Sequence, residues 1–469
     1  MALPQAQPIP VIVSTRALPA LVVASALAAS CNQTQQTARA SAREPRIPIP
    51  TDAQNHRTNV VHAQGQFGAG VTIAFLGSGY DSDMNGLGRP HRAYYPNGNL
   101  SKPPRLIGRP LFGLGPQTGP ATLDGLAEQS IAAGAPWGSI PGAAAGHAPL
   151  AGILVYAAHE GMANTTHALE TILEERRSGA TTFAVFHTGF IVGGPVTSDY
   201  ARRLDELAGL DVLVTLKAGR RTHPHPSATN ALAVGMVSLD TKLLDASSAA
   251  GLPADQQRIF PDLVAAGVSI PAAQADNEGA AWRATGTRLA AASVAGAAAL
   301  YRAQKPSASA LETKAAIIAT VERLAAQDPT KPLENGYGAG YLRVDRMFAV
   351  ATGADTTLVR QETLTAERRT RTYSVQVTRG DTYGAAITWF RQDTSQATWS
   401  DLALQADNCV GITACDTPRN LVERIEFTAA NDAVQLTVSA KSLEAGRKSQ
   451  EFALVLYGPI RRHRKSRFE

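Results

Sequence analysis

Gly286-Thr287-Arg288-Leu289-Ala290-Ala291-Ala292-Ser293-Val294-Ala295-Gly296 is a run of small and apolar residues carrying a single charge, on Arg288. Small residues let a helix lie close against a sheet, which favours an α/β body. The sequence upstream has the texture such packing needs. Residues 71–76 (VTIAFL), 153–156 (ILVY), 182–186 (TFAVF), 212–216 (VLVTL) and 232–237 (LAVGMV) are short apolar runs. Continuous apolar runs of this length fit parallel strands covered on both faces. Helix-like stretches at 167–178 and 198–208 separate several of them. The alternation implies a doubly wound, mostly parallel sheet across 66–353, with ligands expected at the carboxyl ends of its strands.

Beyond residue 356 the period changes to two. Alternating segments at 372–378, 385–390, 402–405, 434–438 and 452–456 are separated by turn residues. They read as an antiparallel β-sandwich or jelly roll over 356–460. Residues 461–469 (RRHRKSRFE) form a basic tail that carries much of the net charge of +5, so the remainder is close to neutral. That distribution argues against a specific nucleic-acid partner. The stretch 32–65 is rich in Gln, Ala, Arg and Pro and reads as a flexible linker.

At the N-terminus, Arg16 precedes a mostly apolar run over 17–29 that is too short to span a membrane. The segment 1–31 reads as a signal peptide, which makes the chain exported, to the cell envelope or the extracellular space. Ala28-Ala29-Ser30-Cys31 resembles a bacterial lipoprotein cleavage site, with Leu27 one place out of position. Cys31 would then be the lipidated residue and the only route to a membrane; an ordinary secretory cut after Ala28 is the alternative. Of the three cysteines, Cys409 and Cys415 flank a short Gly-containing loop, which in an exported chain suggests a local disulfide. No metal-ligand spacing is present.

Six segments, in order, carry a family resemblance. Val71 to Leu76 runs into Gly77-Ser78-Gly79-Tyr80-Asp81. Asp124-Gly125-Leu126-Ala127-Glu128 is followed by Gly146-His147-Ala148-Pro149-Leu150. Then come Lys217-Ala218-Gly219-Arg220, Pro261-Asp262-Leu263-Val264-Ala265-Ala266-Gly267-Val268, the opening run from Gly286 to Gly296, and Tyr337-Gly338-Ala339-Gly340-Tyr341-Leu342-Arg343-Val344-Asp345. Together they resemble the subtilisin-like serine peptidases, or subtilases, over about residues 70–345. The resemblance places the family's Asp, His, Asn and Ser at Gly77, Asp124, Arg220 and Arg288. It implies a subtilisin-like domain followed by a subtilase-type jelly roll, which 385–389, 399–404 and 420–425 also resemble. In that jelly roll the family reads Asp-Leu-Asp-Leu, and some members bind calcium there. Ala403 takes the place of the second Asp, which leaves calcium unsupported; no cofactor is expected.

The chemistry follows from the replacements. A serine peptidase needs a hydroxyl, a base to take its proton, and a group to hold that base. It also needs donors where the oxyanion develops. Arg288 is a permanent cation without a nucleophilic lone pair, Gly77 has no side chain, and Asp124 does not replace an imidazole of matched pKa. Asp124 and Glu128 lie four apart, on one face of a helix. Ser293, five residues beyond Arg288, faces elsewhere. His147, His187, His223 and His225 fall in other segments and read as surface or packing histidines.

In the family the His and Ser positions face each other. Asp124 and Arg288 are therefore expected to form an ion pair, with Arg220 and Arg221 left as a positive edge for an anionic group. The leading reading is an exported, catalytically inactive pseudopeptidase that binds a peptide or protein in the former cleft. Two alternatives stay open: an active subtilisin-like endopeptidase, and a non-peptidase enzyme using Asp124, Glu128 and Arg288.

Overall fold

The computed structural model describes residues 52–83, 86–110, 123–136, 145–158, 162–190, 195–220, 228–248, 258–275, 277–414 and 420–460. The signal segment with Cys31, the loop histidines His223 and His225, Arg221, Cys415 and the basic tail lie outside the described residues. So does the side chain of Asp124.

The chain opens with two short helices, α1 (Asp52–Asn55) and α2 (Thr58–His62). β1 (Thr72–Gly77), β2 (Leu106–Pro110), α3 (Leu123–Ala133), β3 (Gly152–Ala157), α4 (Met162–Ser178), β4 (Val185–Thr188), α5 (Asp199–Gly209), β5 (Leu213–Lys217), β6 (Leu232–Ser238) and β7 (Leu263–Val268) follow. Next come a hairpin of β8 (Ile270–Gln274) and β9 (Asn277–Ala284), then α6 (Thr287–Gln304), α7 (Ala310–Thr320) and α8 (Val344–Thr352). Among the described residues these strands make a seven-stranded sheet in the order β2-β3-β1-β4-β5-β6-β7. Every neighbouring pair in it is parallel.

Alternation along β1 shows why the strands read as unbroken apolar runs. Ile73 and Phe75 are buried in a core with Leu126 and Ile131 of α3 and Leu289 and Val294 of α6. Ala74 and Leu76 are buried in a second core with Leu169, Ile172 and Leu173 of α4 and Leu204 and Leu207 of α5. Both faces are covered, so neither can be polar. α5 and α7 start where side chains can cap them: Ser198 accepts from the Ala201 amide at 3.4 Å and Ser309 from the Glu312 amide at 2.9 Å.

The C-terminal strands are β10 (Thr356–Thr365), β11 (Thr370–Gln376), β12 (Thr382–Trp389), β13 (Asp401–Asp407), β14 (Cys409–Ala414), β15 (Val422–Ala429), β16 (Ala433–Ser442) and β17 (Ser449–Gly458). A five-stranded sheet, β10-β17-β12-β15-β14, faces a three-stranded one, β11-β16-β13. All their pairings are antiparallel. Trp389, Leu402, Leu404, Leu436 and Phe452 fill the space between them. The outer face of the larger sheet rests on α7. A Cβ at Gly384 would come 2.7 Å from the Ala319 carbonyl, so only glycine allows that approach. Thr388 donates to the Leu311 carbonyl and Arg424 to that of Ile318.

Asp205 of α5 and Arg391, just after β12, form a buried ion pair at 2.6 Å, both side chains 0% exposed. The same carboxylate accepts from the amides of Thr229 and Asn230. Asn230 closes the loop by exchanging two bonds with the Arg391 backbone.

Residues 52–64 correct the expectation of a tether. His56, Thr58 and Val61 are buried. The Val344 amide donates to the His56 carbonyl, and the Leu150 amide to that of Phe67. The residues that bury this segment stand far along the chain, which a local reading of polarity does not register. Cys409 bonds through its thiol to the Ala406 carbonyl at 3.2 Å; its expected partner Cys415 lies outside the described residues.

Candidate functional site

The carboxyl ends of β1, β4 and β5 meet the N-terminal ends of α3 and α6. α6 is set there by two hydrogen bonds. The Gly286 amide donates to the Gly267 carbonyl at 2.8 Å, and the Gly219 amide, beyond β5, donates to the Thr287 hydroxyl at 3.2 Å. Arg288 follows, in the first turn of α6. α3 is pressed close at its own start. A Cβ at Gly125 would lie 2.3 Å from the Gly79 carbonyl, and Gln129 donates to the same carbonyl at 3.1 Å.

This packing brings three charged or titratable side chains together. Arg288 Nε is 3.3 Å from Glu128 Oε1, and His187 Nε2 is 3.4 Å from Glu128 Oε2. The Glu128 side chain is 6% exposed and that of His187 0%, whereas that of Arg288 is 23% exposed. The cluster is thus sealed on the His187 side and reaches solvent at Arg288. On the other ring nitrogen, His187 Nδ1 lies 3.2 Å from the Thr215 hydroxyl of β5. A carboxylate that deep needs its partners, because an isolated buried charge is costly.

The expected partner of Arg288 was Asp124. The Asp124 side chain lies outside the described residues; among those described, Arg288 pairs with Glu128, one helical turn further along α3. The Glu128 side chain, 6% exposed, reaches α6 from α3. Glu128 and Arg288 are therefore brought together. Gly77 ends β1 with its carbonyl bonded to the Ala158 amide at 3.0 Å. Among the described residues, a Cβ there would meet no atom within 4 Å. Arg220 is exposed and bridges to Ser248. Ser293 is fully buried and its hydroxyl donates back to the Leu289 carbonyl at 3.2 Å, inside its own helix. His147 is buried, with its Nδ1 2.6 Å from the Thr58 hydroxyl.

His187 is the member that reading the sequence missed. The usable signal was its place at the carboxyl end of an apolar strand, where α/β sheets put their ligands. Gly189, two residues on, makes the space for the cluster. A Cβ there would stand 2.7 Å from both Glu128 oxygens. Gly189→Ala is therefore expected to displace Glu128 and to lower stability by about 2 kcal/mol, read from the urea midpoint. Among the described residues no group of three or more His, Cys, Asp or Glu side chains is placed to hold a metal ion. No helix among them is long and apolar enough to cross a membrane.

Residues 214–340 match the model of the subtilase family, peptidase S8. That span runs from β5 through α6 to the loop before α8, and includes both ends of the Gly219–Thr287 bond. Over that span, about a quarter of the chain, the sequence is similar to the subtilase family. It is similar in structure to MycP1 with its N-terminal propeptide removed, at 16% identity and a TM-score of 0.45, covering 63% of this chain and 96% of that one. It is similar also to MycP1 from the ESX-1 type VII secretion system, at 16% identity and a TM-score of 0.46, covering 64% and 87%. No curated protein matches the sequence. The matched span includes Arg288, while Glu128 and His187 lie before it.

Proposed function

We propose that this subtilase-family chain is a catalytically inactive pseudopeptidase, exported, that uses its cleft to bind a peptide or protein ligand. One observation carries the reading. Arg288 stands where the motif resemblance puts the nucleophile, and its guanidinium is paired with the buried carboxylate of Glu128. A guanidinium offers donors and no nucleophilic lone pair. The positions matched to the family's Asp and Asn, Gly77 and Arg220, supply neither a carboxylate to orient a base nor an amide to the oxyanion. Asp124 stands at the His position.

The ligand class follows from the same residues. Glu128 is matched by Arg288, so exposed Arg220 adds positive charge at the cleft edge and favours peptides with acidic groups. Export through the segment 1–31, with lipidation at Cys31, belongs to the same proposal, as does a domain boundary between 353 and 356.

The test is a fluorophosphonate probe with a broad panel of peptide substrates. The proposal expects neither labelling nor turnover above buffer; labelling of the wild-type chain would reveal a reactive serine and overturn it. Titration with matched acidic and neutral peptides tests the ligand class. Tighter binding of the acidic set, weakening with salt, is expected. Equal affinity for both sets removes the charge argument.

A further inference from the structure

Away from the cleft, three histidines fasten the segment 52–67 to the body. His56 is 0% exposed, and its Nε2 accepts a hydrogen bond from the Ala266 amide of β7 at 3.1 Å. Its ring stacks on Tyr341 with centroids 4.8 Å apart and lies 5.3 Å from the ring of His147. His147 is 1% exposed, and its Nδ1 is 2.6 Å from the Thr58 hydroxyl of α2. His62, at the end of α2, donates through Nε2 to the His147 carbonyl at 2.8 Å, and its ring packs on Phe67.

The bond from Ala266 dictates a protonation state. A backbone N–H points at His56 Nε2, so that nitrogen must present its lone pair. Adding a proton there removes the acceptor, leaves the Ala266 amide without it, and places a charge 5.3 Å from a second imidazole. A buried donor left without its acceptor and a newly buried charge are both destabilising.

Arg57 follows His56 directly. From the α8 side come Arg343, paired with Asp345 and Glu322, and from the turn after β6 comes Lys242. The Lys242 ammonium lies 4.7 Å over the Tyr341 ring on which His56 stacks. His147 also sits on the contact between α3 and α6: its amide donates to the Ile131 carbonyl, and its Cβ lies 2.7 Å from where a Cβ of Gly296 would be.

We propose that the His56–His62–His147 cluster is an acid-labile clasp that holds the segment 52–67 against the body near neutral pH and releases it in mild acid. The sign follows from linkage. Burial holds the His62 imidazole below its ordinary range. The closed clasp therefore binds fewer protons than the released segment. Its stabilising contribution is complete above the ordinary imidazole range, near pH 6.5, and is lost as the pH falls below it. Because His147 wedges the α3–α6 contact, release also loosens the two helices that carry Glu128 and Arg288. The clasp stands whether or not the cleft binds a peptide.

The experiment is amide hydrogen exchange on the full chain, compared as protection factors at pH 7.5 and 5.0. A fall of at least tenfold is expected across 52–67 and at Ala266, with β3 unchanged. The same measurement on His56→Asn/His62→Gln/His147→Gln is expected to show no such fall. Unchanged protection in the wild type, or an equal fall in the triple variant, overturns the clasp. If the variant does not fold, the wild-type titration midpoint decides. A midpoint between about 5 and 7 supports histidine control, and one below about 4.5 assigns the change to carboxylates and overturns it.

Discussion

Asp205→Ala is expected to lower the urea midpoint more than any other single substitution considered for this chain, by about 3–5 kcal/mol when converted to stability. The reason is the number of groups that one carboxylate satisfies. Arg391 meets it at 2.6 Å, and neither side chain is exposed. The Thr229 amide and hydroxyl and the Asn230 amide donate to it as well. Truncation strands all of these donors in a place water does not reach. Among the described residues the guanidinium keeps the carbonyls of Val196 and Gln396, which carry no compensating charge.

A total stability of about 5–15 kcal/mol is usual for a folded protein, so the loss takes a large share of what is available. Asp205→Asn keeps the shape and some acceptor capacity and is expected to fall between wild type and alanine. Arg391→Met is expected to cost less than Asp205→Ala, because it leaves the amides of Thr229 and Asn230 with their acceptor. The pair Asp205→Ala/Arg391→Met is expected to recover only part of the loss, for the same reason. Equal midpoints for wild type and Asp205→Ala would show that the joint between α5 and the loop after β12 carries no stability.

The parts of the fold that were legible are those where one residue type answers one local requirement. VTIAFL at 71–76 is apolar throughout because Ile73 and Phe75 enter one core while Ala74 and Leu76 enter the other. TYSVQVT at 372–378 alternates because β11 is covered on one face only, with Val375 buried between exposed neighbours. What stayed hidden depends on residues distant in sequence. The segment 52–64 looks like a tether until His56 meets Ala266 and Thr58 meets His147. The spacing of Asp124 and Glu128 placed both on one side of a helix, but not the depth at which α6 crosses it. That crossing decides that Glu128 reaches Arg288. His187 gave no periodic signal, since a histidine ending a strand looks the same whether it packs or pairs.

Arg288→Ser supplies the missing hydroxyl, and it is expected to leave the chain without measurable peptidase activity. A serine in the first turn of α6 still needs a base. The imidazole nearest to that turn in the described cluster, His187, is fully buried, with one nitrogen 3.4 Å from Glu128 and the other 3.2 Å from Thr215. Losing the base from such a triad costs on the order of 10⁴–10⁶ in rate, which takes turnover below what a peptide assay reads. The substitution also removes a partner from Glu128, whose side chain is only 6% exposed. Breaking that pair is expected to cost about 2–3 kcal/mol, somewhat under the usual range for fully buried pairs because solvent reaches Arg288. Glu128→Gln/Arg288→Ser removes the orphaned charge and is expected to regain most of that stability while staying inactive. The two readouts separate the effects: stability follows Glu128, and hydrolysis follows the whole constellation. Peptide turnover by Arg288→Ser alone would mean that a competent base already faces α6, and the pseudopeptidase reading would then rest on a single residue.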